Sequence, residues 1–457
     1  MAVIGVDSET SQDIDRSGPV GWNPFTRLVF RFVFVSFGLM CLLEAQITAV
    51  FLGWPAERLA HDTVAWPARL LDPTVKWVGD HVFGVEAVNH DSGSGDQTYN
   101  WVQLWCVLMV AVVATVVWTA LDRRRPDYRR LAGWFLLVIR VCLGGQMLLY
   151  GFAKLIPSQM PEPALSTLLE PYGNMNSMGV LWNQVGSSPS YEILLGAAEV
   201  TAGLLLFIPR TAMVGAMLAL VDMAMVFVMD MNFDVPVKIG SGFFMLMALV
   251  LLTPEAKRLA EMLILDRRPG PSTAPYPFRT PRARRIATLV QLALAIWIAV
   301  GLAHASWGIY QQVGSGRPKP PLYGIWTVEE FTRDGQSVPP LLTDENRWQR
   351  IVFDYPGFMQ YQQMDGTLVP AKLQIDTQSH HLQLQTADAP LSFHEAQPQQ
   401  QPPSMGDFTF QQSAPDQLRL EGEFNGHPVT VTLHRFDENN FPLRDSGFHW
   451  VINYPSS

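Results

Sequence analysis

The sequence predicts a polytopic α-helical membrane protein that carries a C-terminal all-β domain. Three observations support this. Of the 457 residues, 48% are hydrophobic and only 16% are charged, a balance shifted toward membrane chains. Seven apolar stretches reach or approach the roughly 20 residues that cross a hydrocarbon core. Beyond about residue 322 the pattern changes to short alternating runs separated by turn residues, as strands require.

The predicted spans lie near 28–52, 101–121, 131–155, 191–208, 212–230, 237–253 and 286–308. They divide the chain into a tail (1–27), two spans joined by a long loop (28–121), a four-helix bundle (122–253), a connector (254–285), a seventh span (286–308), a linker (309–321) and the β domain (322–457). Basic residues set the orientation, because cytoplasmic loops accumulate Lys and Arg. Arg123, Arg124, Arg125, Arg129 and Arg130 precede the third span, and Lys257, Arg258, Arg267, Arg268, Arg279, Arg282, Arg284 and Arg285 precede the seventh. Arg27 and Arg31 agree, so the N-terminus is expected inside and the β domain outside, as in an inner-membrane protein with a periplasmic domain. The opening MAVIGVDSETSQDIDR is acidic and predicts no cleaved signal peptide. Loop 54–100, with Trp66, Trp77 and Phe83, predicts interfacial helices. Loop 156–190, rich in Pro, Gly and Asn with Tyr172 and Trp182, is expected to fold over the outer mouth of the bundle.

The formal charge of −9 lies mostly after residue 316, where Asp and Glu outnumber Lys and Arg by about eight. An acidic exterior and short basic loops do not suit nucleic acid. Cys41, Cys106 and Cys142 fall inside spans without a CxxC pair, which argues against a dithiol relay. No two of the ten histidines share a span at haem-ligating spacing, so a b-type dihaem cytochrome is excluded. His81, His90, His380, His381, His434 and His449 are scattered without metal-ligand spacing, and no metal site is expected. Sequence signatures of nucleotide-binding loops, serine hydrolases and zinc proteases are missing as well.

In the β domain, RIVFDY, AKLQID, HLQLQT, FTFQQ, LRLEGEF and VTVTLHRF read as strands, with Asp365-Gly366 and Asn425-Gly426 as turns. The Gln/Pro-rich run at 395–403 reads as a disordered loop. The opening YGIWTVEEF places a Gly-x-Trp on the first strand and resembles the start of a lipocalin-like up-and-down barrel, in which the Trp closes one end. The expected inward set is Trp326, Val328, Phe353, Leu373, Ile375, Leu382, Leu384, Phe408, Leu418, Leu420 and Val431. These are mostly bulky and apolar, and they predict a packed interior.

Ionisable residues within spans mark functional candidates. Arg140, Glu199 and Asp222 occupy consecutive spans. At about 1.5 Å rise per residue they fall roughly 12–16 Å from the span ends, close to one midplane level. Arg140, Gly144, Met147, Gly151 and Lys154 share one helix face, and Glu192, Gly196, Glu199 and Gly203 another. Arg140 is therefore expected to pair with Glu199 or Asp222. Such a cluster either fixes helix register or handles a proton or ligand. A second group, Lys154, Asp230, Asn232, Asp234, Lys238 and Asp96, with Tyr99 and Asn100 nearby, gathers at the expected outer mouth. It reads either as snorkelling span ends or as a vestibule for a small polar or quinone-headed molecule.

YGFAKL, then GAAEVTAGLLLFIPRTA across a short connection, resemble the DoxX family of four-span bacterial membrane proteins over about 131–253. SGDQTYNWVQ, DRRRPDYRRL, PYGNMNSMGVLW, NFDVPVK and YGIWTVEEFTRDG extend the resemblance to longer DoxX-like proteins with extra spans and an exterior domain. The resemblance implies a quinone- or small-molecule-linked redox subunit. In that reading Arg140, Glu199 and Asp222 hold or move a proton, Lys154 and Lys238 contact a polar head, and the partner is a membrane redox or envelope protein. The paired cysteines of thiol-redox relatives are missing. A proton-coupled permease and a non-catalytic assembly protein remain open alternatives.

Overall fold

The computed structural model describes residues 21–55, 66–90, 92–272, 274–278, 280–387, 404–445 and 450–451. Residues 1–20 of the tail, Arg279, the Gln/Pro-rich run and His449 lie outside the described residues. The chain forms two compact units, one from 1–156 with 194–306 and one from 157–193 with 307–457.

Among the described residues, seven helices are long and apolar enough to cross a membrane, which makes this a multi-pass membrane protein. They are α1 (Pro24–Leu43), α2 (Thr98–Leu121), α3 (Arg129–Leu155), α4 (Pro189–Phe207), α5 (Ala212–Asn232), α6 (Lys238–Leu252, continued by short helical turns to Leu263) and α7 (Pro281–Gln312). Asn23 starts α1 by accepting the Thr26 N–H at 2.6 Å, with Pro24 in the first turn. The helix does not continue to residue 52 as predicted. Glu44 leaves helical geometry (φ −76°, ψ 102°), and short turns at Ala45–Ala49 and Val50–Leu52 follow. Within loop 54–100, a helix at Asp72–Val78 leaves Trp77 exposed, and Trp66 and Phe83 are exposed as well, as interfacial residues would be.

Apolar side chains such as Val113 and Val116 on α2, Val221 and Met225 on α5, and Ile296 and Val300 on α7 face outward. That is the expected surface of helices solvated by lipid. By contrast α3 is the centre of the helical unit, 61% buried over its apolar window against 22% for α2 and α5. Polar residues on α3 are therefore the ones removed from solvent. Glycines let α4 approach it closely: a Cβ at Gly144 would meet Phe207 at 2.8 Å, one at Gly151 would meet Val200 at 2.7 Å, and one at Gly196 would meet the Leu155 backbone at 2.3 Å. These contacts fix an antiparallel register in which Leu155 opposes Gly196 and Gly144 opposes Phe207.

The second unit is a closed barrel of eight antiparallel strands. They are β1 (Gly324–Arg333), β3 (Trp348–Phe353), β4 (Phe358–Gln363), β5 (Leu368–Asp376), β6 (His381–Thr386), β7 (Ser404–Ala414), β8 (Gln417–Phe424) and β9 (His427–Phe436), with the two-residue β2 (Gln336–Ser337) as a ninth strand outside the closure. Neighbours pair in sequence from β3 to β9, and β9 returns to β1 from Ile325↔Phe436 to Arg333↔Val429. Closure removes the exposed edges that invite aggregation. β2 is an appendage on the end of β1. Asn425 (φ 51°) and Gly426 (φ 81°) both take the left-handed conformation required by a two-residue hairpin. In the β5–β6 turn, the Ser379 hydroxyl and the Gln378 and Ser379 amides hold the Asp376 carboxyl below its ordinary range.

The predicted inward residues meet in one core, with Ile375 packed at its margin. Trp326 is buried and donates from Nε1 to the Leu322 carbonyl at 2.8 Å. Trp348 sits at the centre of an aromatic cluster with Phe331, Tyr361, Phe408 and Phe424 at ring separations of 4.8–5.9 Å. Segment 157–193, which covers most of the loop expected to fold over the bundle's outer mouth, belongs to the barrel unit. Leu165 packs on Ile325 and Val352, its N–H donates to Asp354 Oδ2 at 2.7 Å, and Asp354 in turn pairs with Arg317. Burial of Leu165 and satisfaction of Asp354 draw the segment there.

Candidate functional site

The most enclosed ion pair of the helical unit joins Lys154, near the end of α3, to Glu199 of α4. Lys154 Nζ lies 2.9 Å from both carboxylate oxygens, and both residues are buried. Their meeting follows from the glycine register, since Gly151 and Gly196 bring the two backbones together one turn to either side. Desolvating two charges is costly, and a two-oxygen contact of this kind recovers most of that cost.

A string of polar side chains leads to the pair. Gln46 donates from Nε2 to Gln146 Oε1 at 2.7 Å and to the Tyr150 hydroxyl at 2.8 Å. The Tyr150 ring lies 5.6 Å from Lys154 Nζ. Gln146, Tyr150 and Lys154 are spaced i, i+4, i+8 and so form one stripe on α3. Two carboxylates of α5 flank the centre. Asp222 lies within electrostatic reach of Glu199 and Lys154, and Asp230 within reach of Lys154 and Lys238. Each has an Oδ2 atom that is buried and has no hydrogen-bond partner among the described residues. Lys154 thus faces three carboxylates, of which Asp230 is shared with Lys238, and this gives the group capacity to hold protons.

The predicted residues divide differently from the expectation. Glu199 and Asp222 belong to one group, but Arg140 does not join them. It stands fourteen residues before Lys154 on the same helix, roughly 21 Å away. The depth estimate failed because it assumed that α3 and α4 enter at equivalent positions. The glycine contacts instead place Arg140 level with the turn after α4, and Pro209 and Ala212 line the same cleft. Arg140 Nη2 donates to Gln291 Oε1 of α7. Glu192, on the Glu199 face of α4, is also elsewhere, accepting the Met160 N–H at 3.0 Å.

The predicted vestibule residues stay linked through Asp230, which lies within electrostatic reach of Asp96, Lys238 and Lys154. Asp96 accepts the N–H groups of Lys238 (2.7 Å) and Ile239 (3.0 Å), and so caps the start of α6 from a distant loop. Lys238 Nζ pairs with Asp234 at 3.0 Å and Asp96 at 3.7 Å. The Asp234 side chain is 89% exposed, and Asn232 is exposed and bonds back to the Val228 carbonyl. This triad therefore ties α6 to the loop before α2, and Asp230 stands between it and Lys154 of the centre. Asp96→Ala is expected to lower stability by about 1–2 kcal/mol through loss of the cap, measured by thermal unfolding in detergent.

Linear spacing also hides a neighbour pair. The thiols of Cys41 on α1 and Cys142 on α3 come within hydrogen-bonding reach inside one core cluster. On the barrel, His381, His427 and His434 each meet a single aspartate: Asp407, Asp334 and Asp416.

Comparison with known proteins adds little functional information. No family model matches the chain, and no solved structure matches it. It is 29% identical over 119 residues to the uncharacterized protein YwoB of Bacillus subtilis (strain 168), an alignment that covers 26% of this chain and 75% of the relative.

Proposed function

We propose that the chain is a DoxX-like protein of the bacterial inner membrane, in which the Lys154–Glu199 centre takes up and releases a proton during quinone-linked redox chemistry. The observation behind this reading is the buried pair itself, with two further carboxylates beside it that each present an unpartnered oxygen. Protonation of Glu199 removes the charge that holds Lys154. The ammonium is then left to Asp222 and Asp230, and the proton moves on when the pair re-forms. Quinone reduction consumes two protons with two electrons, so a buried acid that cycles between charged and neutral forms supplies what that chemistry needs. The resemblance of YGFAKL and GAAEVTAGLLLFIPRTA to the DoxX family supports the link to quinone.

The expected orientation, N-terminus inside and barrel in the periplasm, rests on the basic segments 122–130 and 254–285. A reporter fused at the C-terminus is expected to read periplasmic, and one inserted at 270–280 cytoplasmic. The reverse pattern would contradict the orientation.

A second reading, proton-coupled transport, is favoured by one observation. Lys154 and Lys238 are already engaged by carboxylates and are not free to hold a head group. Proteoliposomes separate the two readings. Quinol-dependent proton release that is lost in Glu199→Gln supports the redox subunit, whereas Glu199-dependent proton flux without quinone supports the transporter.

A further inference from the structure

Arg140 raises a separate question. It is 8% exposed, yet its charge meets no carboxylate among the described residues. Its Nε is buried without a hydrogen-bond partner, and Gln291 engages only Nη2. The other buried arginine of this unit, Arg31, is treated differently. Its guanidinium donates to Tyr128, Thr119 and the Asp122 carbonyl, using all three nitrogens. A desolvated guanidinium with donors to spare is a costly arrangement unless an anion completes it.

The space beside Arg140 suits such an anion. Arg140 lines a cleft of about 260 Å³ with Gly133, Ser272, Tyr276 and Glu255. Glu255 does not neutralise Arg140, because its two oxygens are taken by Arg258 and Ser272. The cleft adjoins a second one of about 630 Å³, and the two share Leu136, Pro254 and Pro275. The second cleft is mostly apolar, walled by Phe25, Val29, Phe30, Val33 and Phe135. A charged recess thus opens beside a trough shaped for hydrocarbon. Arg129, paired with Asp127 at 3.3 Å, lines that trough, and Arg284 stacks on Tyr276 of the Arg140 cleft.

We propose that these joined clefts bind a membrane phospholipid of net negative charge, with its phosphate, unshielded by a head-group cation, on Arg140 and an acyl chain in the apolar trough. The guanidinium fork matches phosphate geometry through paired donors. A free anion would leave the trough empty, and a zwitterionic lipid would bring its own cation beside Arg140 and no net charge, so an anionic amphiphile fits both halves. The inference is independent of the Lys154–Glu199 reading, since it uses none of those residues.

The test uses the full chain in neutral detergent, titrated with phosphatidylglycerol, phosphatidylcholine or inorganic phosphate and followed by native mass spectrometry. Phosphatidylglycerol is expected to bind saturably and about tenfold or more tighter than phosphatidylcholine, in keeping with one charge-assisted contact. Arg140→Gln should erase that preference and Arg140→Lys should retain part of it. Val29→Trp, at a position already 41% exposed and so tolerant of substitution, should fill the trough and weaken phosphatidylglycerol about tenfold without changing phosphate binding. Equal affinity for the two lipids, a preference that survives Arg140→Gln, or inorganic phosphate binding as tightly as phosphatidylglycerol would each overturn the proposal.

Discussion

Lys154→Met is expected to destabilise the protein by about 3–5 kcal/mol, because it leaves the Glu199 carboxylate buried without its cation. The reciprocal Glu199→Leu should cost a similar amount, since Lys154 Nζ now meets both carboxylate oxygens at 2.9 Å. The double variant Lys154→Met/Glu199→Leu should recover most of the loss, because two apolar side chains replace two desolvated charges. Thermal unfolding in detergent, read for both singles and the double, gives the coupling between them. Additive single effects would show that the two side chains do not interact. Recovery in the double variant would also show that the pair is retained for something other than stability.

The second large effect belongs to the barrel. Trp348→Ala is expected to cost about 3–5 kcal/mol, since the indole is 1% exposed and contacts four other rings. Trp326→Ala should follow with a comparable loss, because it removes a buried ring and the Nε1 bond to Leu322. Both are measurable from the denaturant midpoint of barrel unfolding. A change below about 1 kcal/mol would mean that the interior is loosely packed, in conflict with the contiguous core described here.

All seven spans were legible, because hydropathy over a long window depends little on what a helix packs against. The break at Glu44 was not, since an acidic residue inside an apolar run gives no sign of where the backbone will turn. The barrel was legible from alternation and the Asn425-Gly426 turn, but β4 escaped. Its run Phe358–Gln363 carries Gln at alternate positions and buries Gln362, which blurs the inside-outside contrast. Membership of 157–193 in the barrel unit depends on Leu165 meeting Asp354, a contact far apart in sequence.

The site was half legible. Glu199 and Asp222 stood out because charge in a span is rare, and the small-residue faces correctly foretold that α3 and α4 lie close. Depth counted from helix ends misplaced Arg140, as it ignored the register that Gly144, Gly151 and Gly196 impose. Gln146 and Tyr150 were missed, although their i, i+4, i+8 spacing with Lys154 was available on α3. Gln46 carried no signal, because only the turn after α1 brings it to Tyr150.

Proton transfer through the Lys154–Glu199 centre is the central claim, and a pH-jump measurement on sealed proteoliposomes with an entrapped dye tests it most directly. The wild type is expected to transfer protons when its redox or transport cycle is driven, Glu199→Gln to lose that transfer while keeping its fold, and Arg140→Lys to retain it. Wild-type proton transfer by a folded Glu199→Gln protein would contradict the account.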